Sequence, residues 1–173
     1  MAKVEINFEF PDLGAKLQRK VKEIYVFLAA QMQTNRGFLF DQEGAYNGHQ
    51  KWAPLKFRRG QILSDRGTLR KSIAPVPARG APGTDGIVEF APETVTIGTK
   101  LFYAAMMNWG TTKLSGGVLK PVKAKALKIP TDKGPIFRKS VRIPERRFDD
   151  WNDQDQREIE EAYVNKIAAV LNE

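Results

Sequence analysis

The chain has 173 residues and carries 28 Lys and Arg against 20 Asp and Glu, which gives a net charge of +8. This length is typical of one domain, and a hydrophobic content of 42% is enough to fill its core. With no Cys and a single His, the composition excludes thiol catalysis, Cys-ligated zinc, iron–sulfur clusters and His-rich metal sites. We therefore interpret residues 1–173 as a single domain without a metal or cofactor.

The N-terminal part predicts a strand followed by a long helix. Residues Val4 to Phe10 alternate apolar and polar, which is the period of a strand with one buried face. Pro11 ends this strand, and Asp12 is suited to cap the element that follows. An amphipathic helix to about Gln33 is predicted next, because apolar side chains recur every three or four positions at Leu13, Leu17, Val21, Ile24 and Leu28.

The middle of the chain predicts two long loops with a short strand between them. Residues 35–59 are interrupted by Gly and Pro and are predicted to be irregular, and residues 75–86 form a second, exposed loop or arm. Between them, Gly67–Ile73 is predicted as a turn that enters a strand. Leu69, Lys71 and Ile73 would share one face of that strand.

The second half predicts a hairpin, a short helix, a strand and a final helix. The hairpin pairs 87–90 with 94–97, the short helix covers 102–109 before Gly110, and the strand covers 126–130. The final helix runs from about Asp153 to Leu171, with an apolar stripe at Ile159, Tyr163, Ile167 and Val170. The expected fold is α+β: a mostly antiparallel sheet packed by the long N-terminal helix and the C-terminal helix, with long projecting loops.

The residues give no positive indication of an enzyme. His49 is the only candidate imidazole base, and no Gly-x-Ser-x-Gly turn accompanies it. The glycine-rich stretch 80–86 lacks the Gly-Lys-Ser/Thr ending of a phosphate loop. No apolar run approaches the ~20 residues of a membrane span. We predict no catalytic residues, no small-molecule substrate and no membrane partner.

Charge is unevenly distributed along the C-terminal third. Residues 113–147 carry eleven Lys and Arg against two acids, whereas residues 148–173 carry eight acids against two basic residues. This pattern has three interpretations: an ordinary solvated surface, a basic face that contacts nucleic acid, or complementary patches that pair between copies of the chain.

Four sequence blocks occur in a fixed order along the chain. They are Trp52-Ala53-Pro54-Leu55-Lys56, then Leu63-Ser64-Asp65-Arg66-Gly67-Thr68-Leu69-Arg70-Lys71-Ser72-Ile73, then Val95-Thr96-Ile97-Gly98-Thr99 with Tyr103-Ala104-Ala105, and finally Ile143-Pro144-Glu145-Arg146-Arg147-Phe148. Together they resemble the virion-morphogenesis, or tail-completion, proteins of contractile-tailed bacteriophages. Departures from the family pattern include Arg66, where Thr is usual, and Met106-Met107-Asn108-Trp109-Gly110, where His-Gln/Asn-aromatic-Gly is more typical.

The resemblance implies a non-enzymatic structural protein of the virion tail or neck that is assembled in the host cytoplasm. Such a protein completes the tail at its head-proximal end and enables head–tail joining. It is expected to form a ring of identical subunits, of which a hexamer is one form, and to contact tail-tube and neck or connector proteins and, transiently, genomic DNA. The alternative hypothesis is a small basic nucleic-acid-binding protein.

The candidate interface for a subunit or partner combines the two oppositely charged segments with one upstream arginine. Its residues are Arg70, Lys120, Lys123, Lys125, Arg142, Arg146, Arg147, Asp149, Asp150, Asp153 and Asp155.

Overall fold

The computed structural model describes residues 2–7, 15–112 and 115–172. The predicted continuation of the first strand to Phe10, its end at Pro11 and the cap at Asp12 lie outside these residues. The elements, apart from a single 3-10 turn at Ser115–Gly117, are β1 (Ala2–Asn7), α1 (Ala15–Asp41), α2 (Thr68–Ile73), β2 (Gly86–Ala91), β3 (Thr94–Thr99), α3 (Ala104–Trp109), β4 (Leu127–Ile129), β5 (Ile136–Arg138) and α4 (Asp153–Asn172).

The main sheet has three antiparallel strands in the order β1-β3-β2. Val4 of β1 and Val88 of β2 both lie opposite Ile97 of β3. The predicted hairpin is confirmed and is two residues longer in each strand. In the central strand β3, Val95 and Ile97 are fully buried, and Thr96 between them is buried as well.

Helix α1 is the centre of the fold, because it contacts both β3 and α4. Its buried side chains Ile24, Leu28 and Met32 meet Val95 and Ile97 of the sheet in one core. From α4, that core receives Ile159, Tyr163 and Val170, so the predicted apolar stripe is confirmed, with Ile167 packed partly against it. The architecture is α+β, as predicted from the order of elements.

The prediction that the first long loop begins at Asn35 is wrong, since α1 continues to Asp41. Leu39 and Phe40 are fully buried and continue the spacing that Ile24, Leu28 and Met32 begin. A glycine inside a helix, such as Gly37, lowers helix stability by about 1 kcal/mol relative to alanine. Burial of Leu39 and Phe40 in the same turn offsets this loss. The irregular connection is therefore residues 42–67.

The predicted strand at 67–73 is also wrong, because Thr68–Ile73 forms α2. Gly67 precedes the helix with φ 69°, and Leu69, Ser72 and Ile73 are buried at helical spacing. Lys71 is exposed and does not share a face with Leu69 and Ile73. Apolar residues at 69 and 73 fit both a strand and a helix, and a seven-residue segment is too short to separate the two periods.

The 75–86 segment is held against α1 at its centre and does not project there. The amide Nε2 of Gln33 donates to the carbonyl of Ala81 at 2.7 Å, and its Oε1 accepts from the backbone N–H of Gly80 at 3.2 Å. A Cβ at Gly80 would lie 1.9 Å from the carbonyl oxygen of Val26. Only glycine permits this approach, so the loop lies along the helix.

The exposed arm of the described structure is residues 118–142, which neither loop prediction included. Strands β4 and β5 pair within it, and Leu119 pairs with Val141 at its base. Val122 is 97% exposed and Phe137 is 65% exposed. We call residues 118–142 the hairpin arm.

Candidate functional site

An apolar cleft of about 620 Å³ lies between the irregular connection and the segment before α4. One wall comes from residues 55–58, Leu63 and residues 65–69, which run into α2. The other comes from residues 141–144 and Arg146, with Ile129 and Pro130 from the turn end of the hairpin formed by β4 and β5. Tyr103 and Met107 contribute from the region of α3. We call this feature the cleft.

The two walls are tied together by Arg146, which is almost fully buried. Its Nε donates to the carbonyl of Ala53 at 3.0 Å, and its Nη2 donates to the carbonyl of Pro54 at 3.4 Å. Nearby, the indole N–H of Trp52 donates to the carbonyl of Arg147 at 3.0 Å. Three side-chain bonds therefore join the first sequence block to the fourth.

A second tie joins α3, in which the third block ends, to the fourth block through Asn108, which is fully buried. Its Oδ1 accepts from the backbone N–H of Phe148 at 2.8 Å, and its Nδ2 donates to Asp149 at 2.7 Å. The backbone N–H of Arg146 donates to the backbone carbonyl of Asn108 at 3.0 Å. Asn108 thus holds α3 against residues 146–149 through both its side chain and its backbone, and these polar groups are paired where they are buried.

The chain turns closely past this point because of Gly110. It has φ 62° and ψ −161°, and a Cβ there would lie 2.5 Å from the carbonyl oxygen of Ile143. The N–H of Thr111 donates to that same carbonyl at 2.9 Å. These contacts fix the segment 143–146 in the wall of the cleft.

The cleft is strongly basic. Among the described residues that line it, five are Lys or Arg and one is acidic, namely Lys56, Arg58, Arg66, Arg142, Arg146 and Asp65. The acid lies 3.5 Å from the guanidinium of Arg58. Burial lowers the pKa of Arg146, and the positive charge of Arg58 acts in the same direction. An apolar lining with a cationic rim suits a ligand that is both apolar and acidic.

The structure separates the basic residues predicted at the interface into two groups. Arg142 lines the cleft and is exposed, and Lys120, Lys123 and Lys125 are exposed on the hairpin arm. Arg146 is turned inward, so it cannot reach a partner with its bonds intact. The other two arginines, Arg70 and Arg147, are half-buried and paired within the chain.

Those two pairs are specific. The guanidinium of Arg70 donates to Asp41 at 2.7 Å, at the end of α1. Arg147 lies over the ring of Trp109 at 3.6 Å from its centre, and it bridges to Asp149 at 3.3 Å and Asp150 at 3.4 Å. Some of the charged residues that were expected to form ion pairs between copies therefore form ion pairs within one copy.

Among the predicted acids, Asp153 and Asp150 are exposed and Asp149 is half-buried. The fourth, Asp155, is wrong as a surface contact because it is fully buried. It forms an ion pair with Arg36, which is also fully buried, and its Oδ2 lies 2.6 Å from Nε2 of His49. Asp155 lies one helical turn from the buried Ile159, so the inner stripe of α4 continues to it.

This buried cluster of Arg36, His49 and Asp155 was not predicted from the sequence. Asn47 Nδ2 also donates to Asp155 at 3.1 Å, and Arg36 Nη1 donates to the carbonyl of Asp150 at 2.6 Å. Burial lowers the pKa of Arg36, while the carboxylate of Asp155 raises it. The cluster could have been predicted only if helix α1 had been extended past Gln33, because position 36 then lies on the buried face of that helix.

The cluster is a structural tie between α1, the connection and α4. The carboxylate of Asp155 is fully buried, accepts from Arg36 and Asn47, and lies against Nε2 of His49. Among the described residues, no group of three or more His, Cys, Asp or Glu is arranged to hold a metal ion. Likewise, no helix in residues 15–112 or 115–172 combines the length and apolar character needed to cross a bilayer.

No family model, curated protein or solved structure matches the chain.

The four sequence blocks meet at the cleft. The cleft is lined by Leu55 of the first block, by Leu63 and residues 65–69 of the second, by Tyr103 of the third and by Ile143 of the fourth. The sequence placed the blocks in separate predicted elements, namely an irregular loop, a turn with a strand, a hairpin strand with a short helix, and an extended segment, and did not predict their convergence. Arg58, which is half-buried, and Arg66, which is exposed, also line the cleft but were not among the residues predicted at the interface.

Proposed function

We propose that this chain is a non-enzymatic assembly protein of a contractile bacteriophage tail. It completes the tail at the head-proximal end and prepares it for head joining, as a ring of identical subunits. One observation carries the proposal: the four blocks that resemble the tail-completion family, which are spread over residues 52–148, converge on one cleft.

Convergence matters because motifs that only form turns have no reason to share a surface. Here the blocks supply an apolar floor, with Leu55, Leu69 and Ile143, and a rim that carries Arg66. Exposed apolar surface rimmed by charge is typical of protein–protein contact sites. A ring subunit needs such a surface on one side and a complementary one on the other.

The chemistry of the cleft favours contact over catalysis. His49, the one imidazole of the chain, lies in the buried cluster and does not line the cleft. The titratable groups that line it are Tyr103, Asp65 and five cations. Burial raises the pKa of Tyr103, with the charge of Asp85 acting in the same direction, so this phenol is held in its neutral form. Neutral phenol and permanent cations are suited to binding.

The hairpin arm supports contacts beyond the ring. Its exposed apolar side chains, Val122 and Phe137, lie among exposed lysines on a two-stranded element. A two-stranded ribbon has little core of its own and becomes ordered when it packs on a partner. We assign it to stacking on tail-tube or neck and connector proteins.

The experiment that tests the proposed function is negative-stain microscopy of particles made without this protein. We expect tails of abnormal length, or complete tails beside unattached full heads. Resupplying the wild-type chain during assembly should restore joined particles, which controls for other defects. Infectious particles that assemble normally in its absence would contradict the proposal.

A second candidate function is nucleic-acid binding, which the hairpin arm favours. Lys120, Lys123 and Lys125 are exposed there, and the one acid of the arm, Asp132, accepts from the backbone N–H of Arg59 at 3.0 Å. Filter-binding titrations separate the two functions. Micromolar or tighter affinity at physiological salt, with a steep salt dependence, would favour nucleic acid as the main partner.

A further inference from the structure

We propose that the cleft receives the outward face of α4 from a second copy of this chain. The contact would be the one that joins identical subunits, so it rests on the proposed function. It is specified by three properties of the described residues: the charge of the cleft, the charge of the outward face of α4, and the separation of the two within one copy.

The cleft is complementary to an occupant that is apolar at its centre and acidic at its edges. Leu55, Met107 and Val141 are half-buried and provide apolar surface. Arg66 and Arg142 stand exposed at the rim. Removing the apolar floor of the cleft from water is favourable, so its burial drives association. The cations at the rim favour an acidic partner and so provide selectivity.

The outward face of α4 has this composition. Val164 is 62% exposed, and Glu160 and Glu161 lie one turn before it and are exposed. Ala168, one turn after Val164, is also exposed and is small enough to allow close approach. Because residues three or four apart lie together on a helix, these side chains form one continuous strip, which begins at the exposed Arg157 and carries more acidic than basic residues.

A copy cannot fill its own cleft with this strip. The opposite face of α4 packs against α1 through Ile159, Tyr163 and Val170, so the strip points away from the body that carries it. None of the residues 153–172, all of which the structure describes, lines the cleft. The contact we propose is therefore between molecules and joins two different surfaces, so it repeats head to tail, and it gives a ring where the rotation between copies closes.

The first test is charge reversal on each side, read as the dissociation constant of self-association by sedimentation velocity. The cleft variant is Arg66→Glu with Arg142→Glu, and the helix variant is Glu160→Arg with Glu161→Arg. We expect each variant to raise the dissociation constant by roughly tenfold or more, since like charges then face one another. The variant with all four changes should return to within about threefold of the wild-type constant.

A matched control separates this contact from the effect of net charge. Lys123→Glu with Lys125→Glu makes the same charge change as the cleft variant, on the hairpin arm, and should leave the constant within about threefold. If the cleft and arm variants weaken association equally, or if the fourfold variant does not recover, the proposed contact is wrong. Circular dichroism of each variant establishes that the fold is retained.

The second test is disulfide trapping, which is clean because the chain contains no Cys. Leu55→Cys with Val164→Cys should give a ladder of covalent oligomers under oxidation, since each copy offers both partners of the contact. Each single variant can form covalent dimers at most. Val122→Cys with Val164→Cys is the matched pair on the arm, and an equally extended ladder from it would overturn the assignment.

The outcomes distinguish this contact from the function it serves. A wild-type chain that self-associates without any response to the cleft variant overturns the contact and leaves the ring intact. Binding of DNA lost in the cleft variant and kept in the arm variant would assign the cleft to nucleic acid and also overturn it. Particle microscopy tests the tail function separately, whichever surface joins the copies.

Discussion

Arg146 donates a hydrogen bond from Nε to the backbone carbonyl of Ala53 at 3.0 Å, across 93 residues of chain. This bond and the one to Pro54 join the two walls of the cleft. Four sequence blocks that look independent along the chain thus share a single framework, in which an internal arginine holds two rigid walls and exposed arginines occupy the rim.

The first prediction concerns this framework. Arg146→Met retains the aliphatic part of the side chain and removes both bonds, and we expect it to lower the free energy of unfolding by about 2 kcal/mol. Urea denaturation followed by tryptophan fluorescence measures the change. Arg142→Met is the control, because that side chain is exposed and its removal should cost less than about 0.5 kcal/mol. Equal losses would show that Arg146 is not the tie.

The second prediction concerns the buried cluster. Asp155→Asn leaves the guanidinium of Arg36 without a counterion in a fully buried site, so we expect a loss of about 3–5 kcal/mol. Asp153→Asn, at an exposed position in the first turn of the same helix, should lose under about 1 kcal/mol. Both are measured by chemical denaturation. A loss at Asp155 as small as that at Asp153 would contradict the assignment of a structural ion pair.

The third prediction concerns the close crossing at Gly110. Gly110→Ala places a Cβ against the carbonyl of Ile143 in a backbone region that only glycine occupies freely. Strain and overpacking together predict a loss of about 4 kcal/mol. Gly116→Ala is matched, because that residue also has positive φ but meets nothing within 4 Å. It should lose only about 1 kcal/mol in thermal unfolding, and a similar loss at both sites would exclude the steric cause.

The fourth prediction concerns alkaline pH. Burial, and then the hydrogen bond to Glu158, raise the pKa of Tyr46 from 10.0 to about 12. A raised pKa in the folded state means that the stabilisation is fully present below pH 10 and is lost as the pH rises towards 12. Ultraviolet titration of phenolate absorbance should lose its highest ionisation step in Tyr46→Phe. An unchanged titration curve would contradict the assignment.

How far the sequence predicts this molecule depends on the length of each pattern. The stripe Ile159, Tyr163, Ile167 and Val170 spans three turns, and it predicted α4 to within one residue at its end. The hairpin was found because two short segments rich in β-formers, one of them alternating at Thr94–Ile97, flank the turn Ala91-Pro92-Glu93. Long patterns of one period leave little room for a competing structure.

Short or interrupted patterns failed for a physical reason. Leu69 and Ile73 fit two periods equally, so the packing of α2 against β2 and β3 decided between strand and helix. Gly37 suggested a break, and burial of Leu39 and Phe40 overrode it. The cleft required the convergence of blocks separated by up to 90 residues, and no local pattern contains that information.

The distribution of charge along the sequence did not predict which acidic residues are exposed at the candidate interface. The acids of residues 148–173 include both the fully buried Asp155 and the exposed Glu160, and the sequence does not distinguish an internal ion pair from an outward one. The distinction comes from the rotation of α4, which its apolar stripe fixes. Combining stripe and charge would have placed Asp155 on the inner face.

The central claim is that this chain works by associating with copies of itself through charged and apolar surfaces. Light scattering coupled to size-exclusion chromatography, over a series of concentrations and salt levels, tests it most directly. We expect a single closed oligomer that forms as concentration rises and weakens as added salt screens the exposed charges. A monomer at every concentration and every salt level would contradict the claim.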